Sequence, residues 1–170
     1  MADEERTQEE IEEMLETFKG MEIDQSIYRV RGRTLDRYAS AIGDDNPKYH
    51  GKKVEGKKKK DYSDIKPHPN FAAYYTIPGL FKLADLKDPK TGDKLIKNIG
   101  KLLHTGQFYD YSDCVDIPPG KKVYTSGVID DLYIKAGWLW ITLTLRTTDK
   151  AEDELYCKTT VTAAIREGGY

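Results

Sequence analysis

Four apolar residues recur at helical spacing among glutamates near the amino terminus: Ile11, Met14, Leu15 and Phe18. Positions i, i+3, i+4 and i+7 form one stripe, so the pattern predicts an acidic amphipathic helix, and Gly20 is suited to end it. Because so short a stripe is common, it favours packing on the chain's own domain over a dedicated partner. We therefore assign residues 1–20 to an N-terminal acidic helix and residues 21–170 to a single domain.

A short strand and a second helix are predicted next. Residues 27–30 favour the strand, and Thr34 is suited to act as the N-cap of the helix. The apolar stripe of this helix consists of Leu35, Tyr38, Ala39 and Ile42. Gly43 follows it and is suited to the left-handed residue that ends a helix.

Residues 71–86 are apolar on nearly every helical face, which is the pattern of a helix enclosed by other structure. Pro78 lies within this run. Because proline removes a backbone donor and crowds the preceding turn, we expect a kink or a break into two pieces there.

The second half of the chain is rich in β-branched and aromatic residues, which favours strands. The predicted strands are residues 101–111, 121–133, 138–148 and 155–166. The connections between them are short enough to join antiparallel neighbours, so the pattern predicts a meander whose first turn is Pro118-Pro119-Gly120. A long curved antiparallel sheet with one enclosed helix, an α+β fold, accounts for these elements.

Composition excludes several classes of function. The chain of 170 residues carries 27 basic and 29 acidic residues, which gives no electrostatic footprint for nucleic acid or a membrane surface. No apolar run reaches bilayer length, and the acidic amino terminus lacks the pattern of a signal peptide. Cys114 and Cys157 lack CxxC spacing, so we expect no metal site, no disulfide framework and a cytoplasmic location.

A lysine-rich segment occupies residues 51–60. Together with Lys48 it contributes seven lysines and little apolar content, which predicts a mobile, solvated loop. An alternative is that the clustered ammonium groups attract the phosphates of coenzyme A or the acidic surface of an acyl carrier protein.

The segment from Tyr38 to His50 reads Tyr-Ala-Ser-Ala-Ile-Gly-Asp-Asp-Asn-Pro-Lys-Tyr-His. It resembles the hydratase motif of the MaoC-like family of enoyl-thioester hydratases and hydroxyacyl dehydratases, a helix followed by Gly-Asp-x-Asn-Pro-x-His. Residues 67–71 and 102–111 resemble the entry to the family's central helix and the strand after it. The resemblance implies a hot dog fold, in which a curved antiparallel sheet wraps one central helix, and an acyl-CoA or acyl carrier protein thioester as substrate without a cofactor.

The family's chemistry uses an aspartate and a histidine to activate water and move the α-carbon proton, with a glycine NH at the helix entry to stabilise the enolate. In this chain Tyr49 stands at the histidine position, and a phenol with a pKa of about 10 is a poor base at neutral pH. Where the family has His-Gly, this chain has His68-Pro69, and proline offers no NH. Both departures resemble the degenerate half of paired hot dog subunits.

Six residues are candidates for the site. Catalytic roles are assigned to Asp44 and His50, the histidine one residue late in the motif. Substrate contacts are assigned to Asn46, Tyr49, Phe71 and Gln107. The alternative for Asp44 and Asn46 is local turn chemistry, in which their side chains bond nearby backbone. Because side chains alternate along a strand, Gln107 is expected on the face opposite His104 and is the better candidate of the two.

Three functions remain open. In the first, the chain is the substrate-channel half of a heteromeric hydratase of lipid, fatty acid or steroid side-chain metabolism, and a second hot dog subunit supplies the catalytic aspartate and histidine. In the second, it is a self-sufficient hydratase, a homodimer or larger homo-oligomer, that uses Asp44 and His50. In the third, it binds acyl-CoA as a scaffold without turnover.

Overall fold

The computed structural model describes residues 7–170. The helices are α1 (Gln8–Phe18), α2 (Gly32–Ile42) and α3 (Ala73–Phe81). The strands are β1 (Glu22–Arg29), β2 (Lys52–Lys53), β3 (Lys60–Asp61), β4 (Leu102–Asp110), β5 (Lys122–Lys135), β6 (Trp138–Thr148) and β7 (Leu155–Arg166). Short 3₁₀ turns occupy Pro47–Tyr49, Pro69–Ala72, Lys82–Asp85 and Ile99–Lys101.

The five long strands form one antiparallel sheet in the order β1-β5-β6-β7-β4. β5, β6 and β7 are neighbours, as predicted. The predicted meander is wrong at its first connection, because β4 pairs with β7 and β1 takes the place beside β5. Residues 111–121 therefore run from the edge strand β4 across the sheet to β5, which lies beside the other edge strand, β1. A local turn signal such as Pro118-Pro119-Gly120 shows that the chain turns, but not which strand it reaches.

The central helix α3 packs against β1, β5, β6 and β7. Its buried residues are Tyr75, Thr76, Gly79 and Leu80. A Cβ built at Gly79 would lie in van der Waals contact, 3.6 Å from side-chain carbons of Ile23 and Leu145, so the helix lies close to the sheet at this residue.

The predicted break at Pro78 is not observed, because α3 continues through this residue to Phe81 and tightens into a 3₁₀ turn at Lys82. The helix is also less enclosed than predicted. Tyr74 and Phe81 are 44% and 54% exposed, which leaves two aromatic rings of α3 on the surface of the single chain.

The amino-terminal helix packs on the chain's own core, as its stripe indicated. Met14 and Phe18 are buried in the main core cluster. Thr7 and Glu10 form a capping box at the start of α1: the Thr7 hydroxyl accepts from the Glu10 backbone NH, and the Glu10 carboxylate accepts from the Thr7 NH. Residues 1–6 of the predicted acidic segment lie outside the described part of the chain.

The second helix differs from its predicted form at both its start and its stripe. α2 begins at Gly32, so Thr34 lies inside the first turn and is not the N-cap. Gly43 ends the helix with φ of 72°, as predicted. Ile42 is 47% exposed, whereas Asp36 is 7% exposed. The helix thus buries a carboxylate that its apolar pattern did not indicate.

The lysine-rich segment is a hairpin rather than the predicted loop. Lys52 pairs with Asp61 and Lys53 with Lys60 in the short β2–β3 ladder. The start of β1, at Glu22, also lies earlier than the predicted strand. Within residues 7–170, no helix is long and apolar enough to cross a bilayer.

Candidate functional site

Asp44 lies immediately after the left-handed residue that ends α2. One carboxylate oxygen, Oδ1, accepts from the backbone NH of Asn46 at 2.9 Å. The other, Oδ2, lies 3.4 Å from Nε2 of His68. Asn46 in turn caps the 3₁₀ turn that starts at Pro47, since its side chain accepts from the Lys48 NH. The turn chemistry expected of Asp44 and Asn46 is therefore present, and both oxygens of Asp44 have partners.

His50 is held by both ring nitrogens. Nδ1 lies 3.2 Å from Oδ1 of Asp36, and Nε2 lies 2.6 Å from the backbone carbonyl oxygen of Asp44. A carbonyl oxygen can only accept, so Nε2 must carry a hydrogen. The hydrogen bond to the Asp44 carbonyl and the Asp36 carboxylate together raise the pKa of His50, against the effect of burial. The ring therefore contacts the backbone of Asp44, not its carboxylate, and its protonated form has no free nitrogen to act as a base.

The buried carboxylate of Asp36 organises this corner. Both of its oxygens accept from the Lys60 ammonium at 2.9 Å, and Oδ1 also accepts from the Gly51 backbone NH at 3.1 Å. Burial alone would raise the pKa of the Asp36 carboxyl, but the hydrogen bonds from Lys60, Gly51 and His50 outweigh it and lower the pKa. Sequence reasoning missed Asp36, because a carboxylate on a helix ordinarily faces solvent.

Tyr49 occupies the motif's histidine position with its ring buried. It is 8% exposed, and its ring meets that of His68 edge to face at a centroid distance of 5.0 Å. The Lys48 ammonium lies 4.7 Å from the centre of the Tyr49 ring. The tyrosine therefore fills, with an aromatic ring, the position where the family places its base.

His68 is the residue that the structure brings to Asp44. Its Nδ1 accepts from the Asn70 NH at 3.1 Å, which leaves the hydrogen on Nε2, the nitrogen that faces Asp44. The ring also packs against Tyr38, with centroids 5.8 Å apart. The motif comparison located His68 at the helix entry, but no sequence pattern indicated its pairing with a residue of a different loop. His68 is thus bonded at Nδ1 and faces the Asp44 carboxylate through Nε2, whereas His50 is bonded at both nitrogens.

The entry to the central helix has no spare backbone donor at its first three positions. Pro69 has no NH. The NH of Asn70 donates to the His68 ring, and the NH of Phe71 donates to the His68 carbonyl at 2.8 Å. The Pro69 carbonyl in turn accepts from the Tyr111 hydroxyl. An enolate oxygen placed here would find no NH that is not already bonded within the chain.

Phe71 and the half-buried Gln107 both contact residues of the central helix. Phe71 is fully buried and stacks on Tyr74 with centroids 4.7 Å apart. Gln107 donates from Nε2 to the Thr76 hydroxyl of α3 at 2.9 Å. Of the six predicted site residues, the structure brings Asp44, Asn46, Tyr49 and His50 together in one turn, while Phe71 reaches this turn through His68, whose carbonyl accepts from its NH.

The expected alternation along β4 is interrupted by a β-bulge. The register places His104 opposite Ala163, and Gln107 opposite Val161, with a shift between His104 and Gly106. Ala163 and Val161 lie on the same face of β7, so the register places His104 and Gln107 on one face of β4 rather than on the opposite faces that strict alternation predicted. His104 is nevertheless exposed and bonds the Gly106 carbonyl locally.

A cavity of about 250 Å³ adjoins the helix entry, and His68 is among the residues that line it. Its lining is mainly aromatic and aliphatic and includes Pro69, Tyr75, Tyr111, Ile117 and Tyr156. Burial raises the pKa of Tyr75 and of Tyr111, so both hydroxyls stay protonated. Within residues 7–170, no group of three or more His, Cys, Asp or Glu side chains could hold a metal ion.

Comparison with known proteins agrees with this architecture. The sequence profile of the family described as "FAS1-like, dehydratase domain region" matches residues 17–159. No curated protein sequence matches the chain.

Similar solved structures include hydratases and dehydratases. They include the R-hydratase PhaJ1 from Pseudomonas aeruginosa, with a TM-score of 0.58 and 11% identity over 88% of this chain and 82% of that one. The ChsH1–ChsH2 complex from Mycobacterium tuberculosis has a TM-score of 0.57 and 15% identity over 88% and 99%. The HadBC 3R-hydroxyacyl-ACP dehydratase complex of the same organism has a TM-score of 0.57 and 15% identity over 86% and 96%. At these identities the likeness shows the fold, the hot dog.

Proposed function

The chain belongs to the FAS1-like dehydratase domain region family of MaoC-like hot dog hydratases and dehydratases, and on this premise we propose that it is the half of a two-subunit enzyme that shapes the substrate channel. A catalytic hot dog partner supplies the working aspartate and histidine. The observation that carries the proposal is that the proton-transfer groups at the motif are committed to bonds inside the chain.

Each of those groups has its partners already. Asp44 is bonded at one oxygen and paired at the other, His68 is bonded at Nδ1 and paired with Asp44 through Nε2, and His50 is bonded at both nitrogens. A general base must present a free lone pair within hydrogen-bond reach of the proton that it removes. The carboxylate of Asp44 keeps unused lone pairs, but the imidazole beside it, His68, uses its Nδ1 lone pair on the Asn70 NH. Tyr49 blocks the remaining position with a buried ring. The motif therefore has a structural role, because its contacts join α2, the helix entry and the β2–β3 hairpin.

In the proposed enzyme the reaction takes place on the partner's side of the interface. Water adds its hydroxyl to the β-carbon of an enoyl thioester and a proton is delivered to the α-carbon; dehydration is the reverse. The developing enolate oxygen needs a backbone donor. The chain described here lacks that donor at Pro69, so the donor has to come from the partner's own helix entry.

Pairing with another subunit is supported by apolar side chains left on the surface of the single chain. Ile27 on the edge strand β1 is 61% exposed, and Phe108 on the opposite edge strand β4 is 66% exposed. Tyr74 and Phe81 are the exposed rings of the central helix. Exposed apolar residues on sheet edges mark sites of association. Two of the similar structures, ChsH1–ChsH2 and HadBC, are themselves complexes of two different subunits.

In the proposed enzyme this subunit contributes the cavity that holds the acyl chain of the substrate. The cavity beside Pro69 combines proline, tyrosine and aliphatic side chains with a few polar groups, among them His68 and Asp116. An apolar cavity with few polar groups suits the tail of an acyl chain. The acyl group of the thioester is thus proposed to enter this chain while its reacting carbons stay with the partner.

Hydration assays distinguish the proposal from its alternatives. The purified chain, given a trans-2-enoyl-CoA, is expected to leave the enoyl absorbance unchanged, whereas its complex with an Asp/His hot dog subunit encoded beside it is expected to hydrate the thioester. Full activity of the chain alone would support the self-sufficient hydratase that uses Asp44 and His50. Acyl-CoA binding without turnover, even in the complex, would support the scaffold.

A further inference from the structure

We infer that the lysine hairpin, residues 52–61, binds the phosphates of coenzyme A. The inference rests on the proposed function in one respect, that the ligand is an acyl thioester. It goes further by assigning the carrier and the residues that hold it. None of the motif's hydrogen bonds reaches the tip of this hairpin, so its charges have no role in the site described above.

The base of the hairpin is fixed to the motif by consecutive contacts. Lys60 bonds both oxygens of Asp36 at 2.9 Å, Asp36 lies 3.2 Å from His50, and His50 lies 2.6 Å from the Asp44 carbonyl oxygen. Lys52 is paired with Asp64 at 2.5 Å. The hairpin therefore has a defined position beside the motif loop.

The tip of the hairpin, residues 53–59, carries positive charge that no carboxylate neutralises. Within the described part of the chain, no ion pair involves its four lysines, Lys53, Lys57, Lys58 and Lys59. Glu55 is the single acidic residue of the tip. The lysines at its flanks are paired, Lys60 with Asp36 and Lys66 with Asp116. Among the described residues, Lys48 beside the hairpin also forms no ion pair and contacts the Tyr49 ring, so the unpaired charge of this region lies at the tip and at Lys48.

The tip is concave. A concavity of about 520 Å³ is lined by Lys53, Val54, Glu55 and the lysines from 57 to 60. A second one, of about 290 Å³, is lined by Pro47, Lys48 and His50 of the motif together with Lys52 and Asp61 of the hairpin base. The first concavity gives a phosphate ligand a seat among the tip lysines, whereas the second also carries the carboxylates of Asp61 and Asp64.

The shape of this surface favours coenzyme A over an acidic carrier protein. Ammonium groups that surround a concavity concentrate their field on a compact polyanion, and a 3′-phosphate beside a diphosphate is such a group. A carrier protein would instead present a broad convex surface. Binding should also weaken with added salt, because the lysines are exposed.

Binding of coenzyme A by the full chain tests the inference. The variant K57E/K58E/K59E is expected to bind coenzyme A about 10-fold or more weakly than the unmodified chain by calorimetry, since several surface pairs act together. The matched control K97E/K135E/K150E makes the same charge change at other exposed positions and is expected to keep the affinity. Dephospho-coenzyme A, which lacks the 3′-phosphate, is expected to bind the unmodified chain more weakly than coenzyme A. Unchanged melting temperatures would show that both variants fold.

Three results would overturn the inference. They are equal affinity of the hairpin variant and the unmodified chain for coenzyme A, an equal loss of affinity in the control variant, and equal binding of coenzyme A and dephospho-coenzyme A by the unmodified chain. A hairpin variant that loses binding of an acyl carrier protein but keeps that of coenzyme A would also reject it, in favour of a protein partner. These results are separate from the proposed function. If hydration by the complex persists while the hairpin variant binds coenzyme A normally, the half-enzyme assignment stands and the hairpin site falls.

Discussion

Replacing Asp36 with asparagine should destabilise the fold because it removes the charge on which the corner between α2 and the hairpin depends. The carboxylate is 10% exposed and faces the Lys60 ammonium and the His50 ring. Removing one partner of a buried ion pair costs about 3–5 kcal/mol. Lys60 is 36% exposed and His50 is 21% exposed, so water can compensate in part. We therefore expect a loss of about 3 kcal/mol, at the lower end of the range.

Urea unfolding measures this loss, and thermal unfolding should show it as a fall in melting temperature of about 6–12 °C for a chain of this size. Asp64→Asn is the matched control, since Asp64 also pairs with a lysine but both side chains are 68% exposed. This control should leave the unfolding midpoint unchanged. If the two variants lost the same stability, or if Asp36→Asn had no effect, Asp36 would not organise this corner.

Three further predictions concern the motif and the sheet. Because the folded state raises the pKa of His50, the contribution of this residue to the free energy of unfolding is complete below the unfolded pKa of about 6.5 and is lost as the pH rises through the folded pKa. Urea midpoints measured from acid to alkaline pH should show this loss of stability. His50→Gln should abolish it. The substitutions Y49H and P69G together restore the histidine base and the backbone NH that the family has at these positions, so hydration of enoyl-CoA by the chain alone should become measurable. A double variant that folds but has no activity would show that Tyr49 and Pro69 do not account for the missing turnover. Gly127→Ala should destabilise the sheet strongly, because the new Cβ would lie 2.2 Å from the Thr144 carbonyl oxygen; urea unfolding of this variant at wild-type stability would contradict the register of β5 and β6.

The sequence predicted those parts of the fold that local patterns determine. The strands β4 to β7, the apolar stripe of α1 and the left-handed Gly43 were all predicted from period and turn chemistry. The order of strands in the sheet was not, because pairing of β4 with β7 depends on contacts far apart in the chain. The bulge beside His104 was missed for a related reason: it shifts the register by one residue without a distinctive local pattern.

The candidate site shows the same limit. The motif located Asp44, Asn46, Tyr49 and His50 in one turn, and the structure keeps them together. The partners of these residues come from elsewhere in the chain, His68 from the helix entry and Asp36 from the preceding helix. Whether a histidine is free to take a proton depends on such partners, and sequence spacing does not reveal them.

The most direct test of the central claim is to measure hydration of a trans-2-enoyl-CoA by the purified chain, with and without the catalytic hot dog subunit. The loss of the conjugated enoyl absorbance monitors the reaction. The account predicts no turnover by the chain alone, and turnover by the complex that survives Asp44→Asn in this chain but is lost when the partner's aspartate is replaced. Turnover by the chain alone that disappears with Asp44→Asn would contradict it.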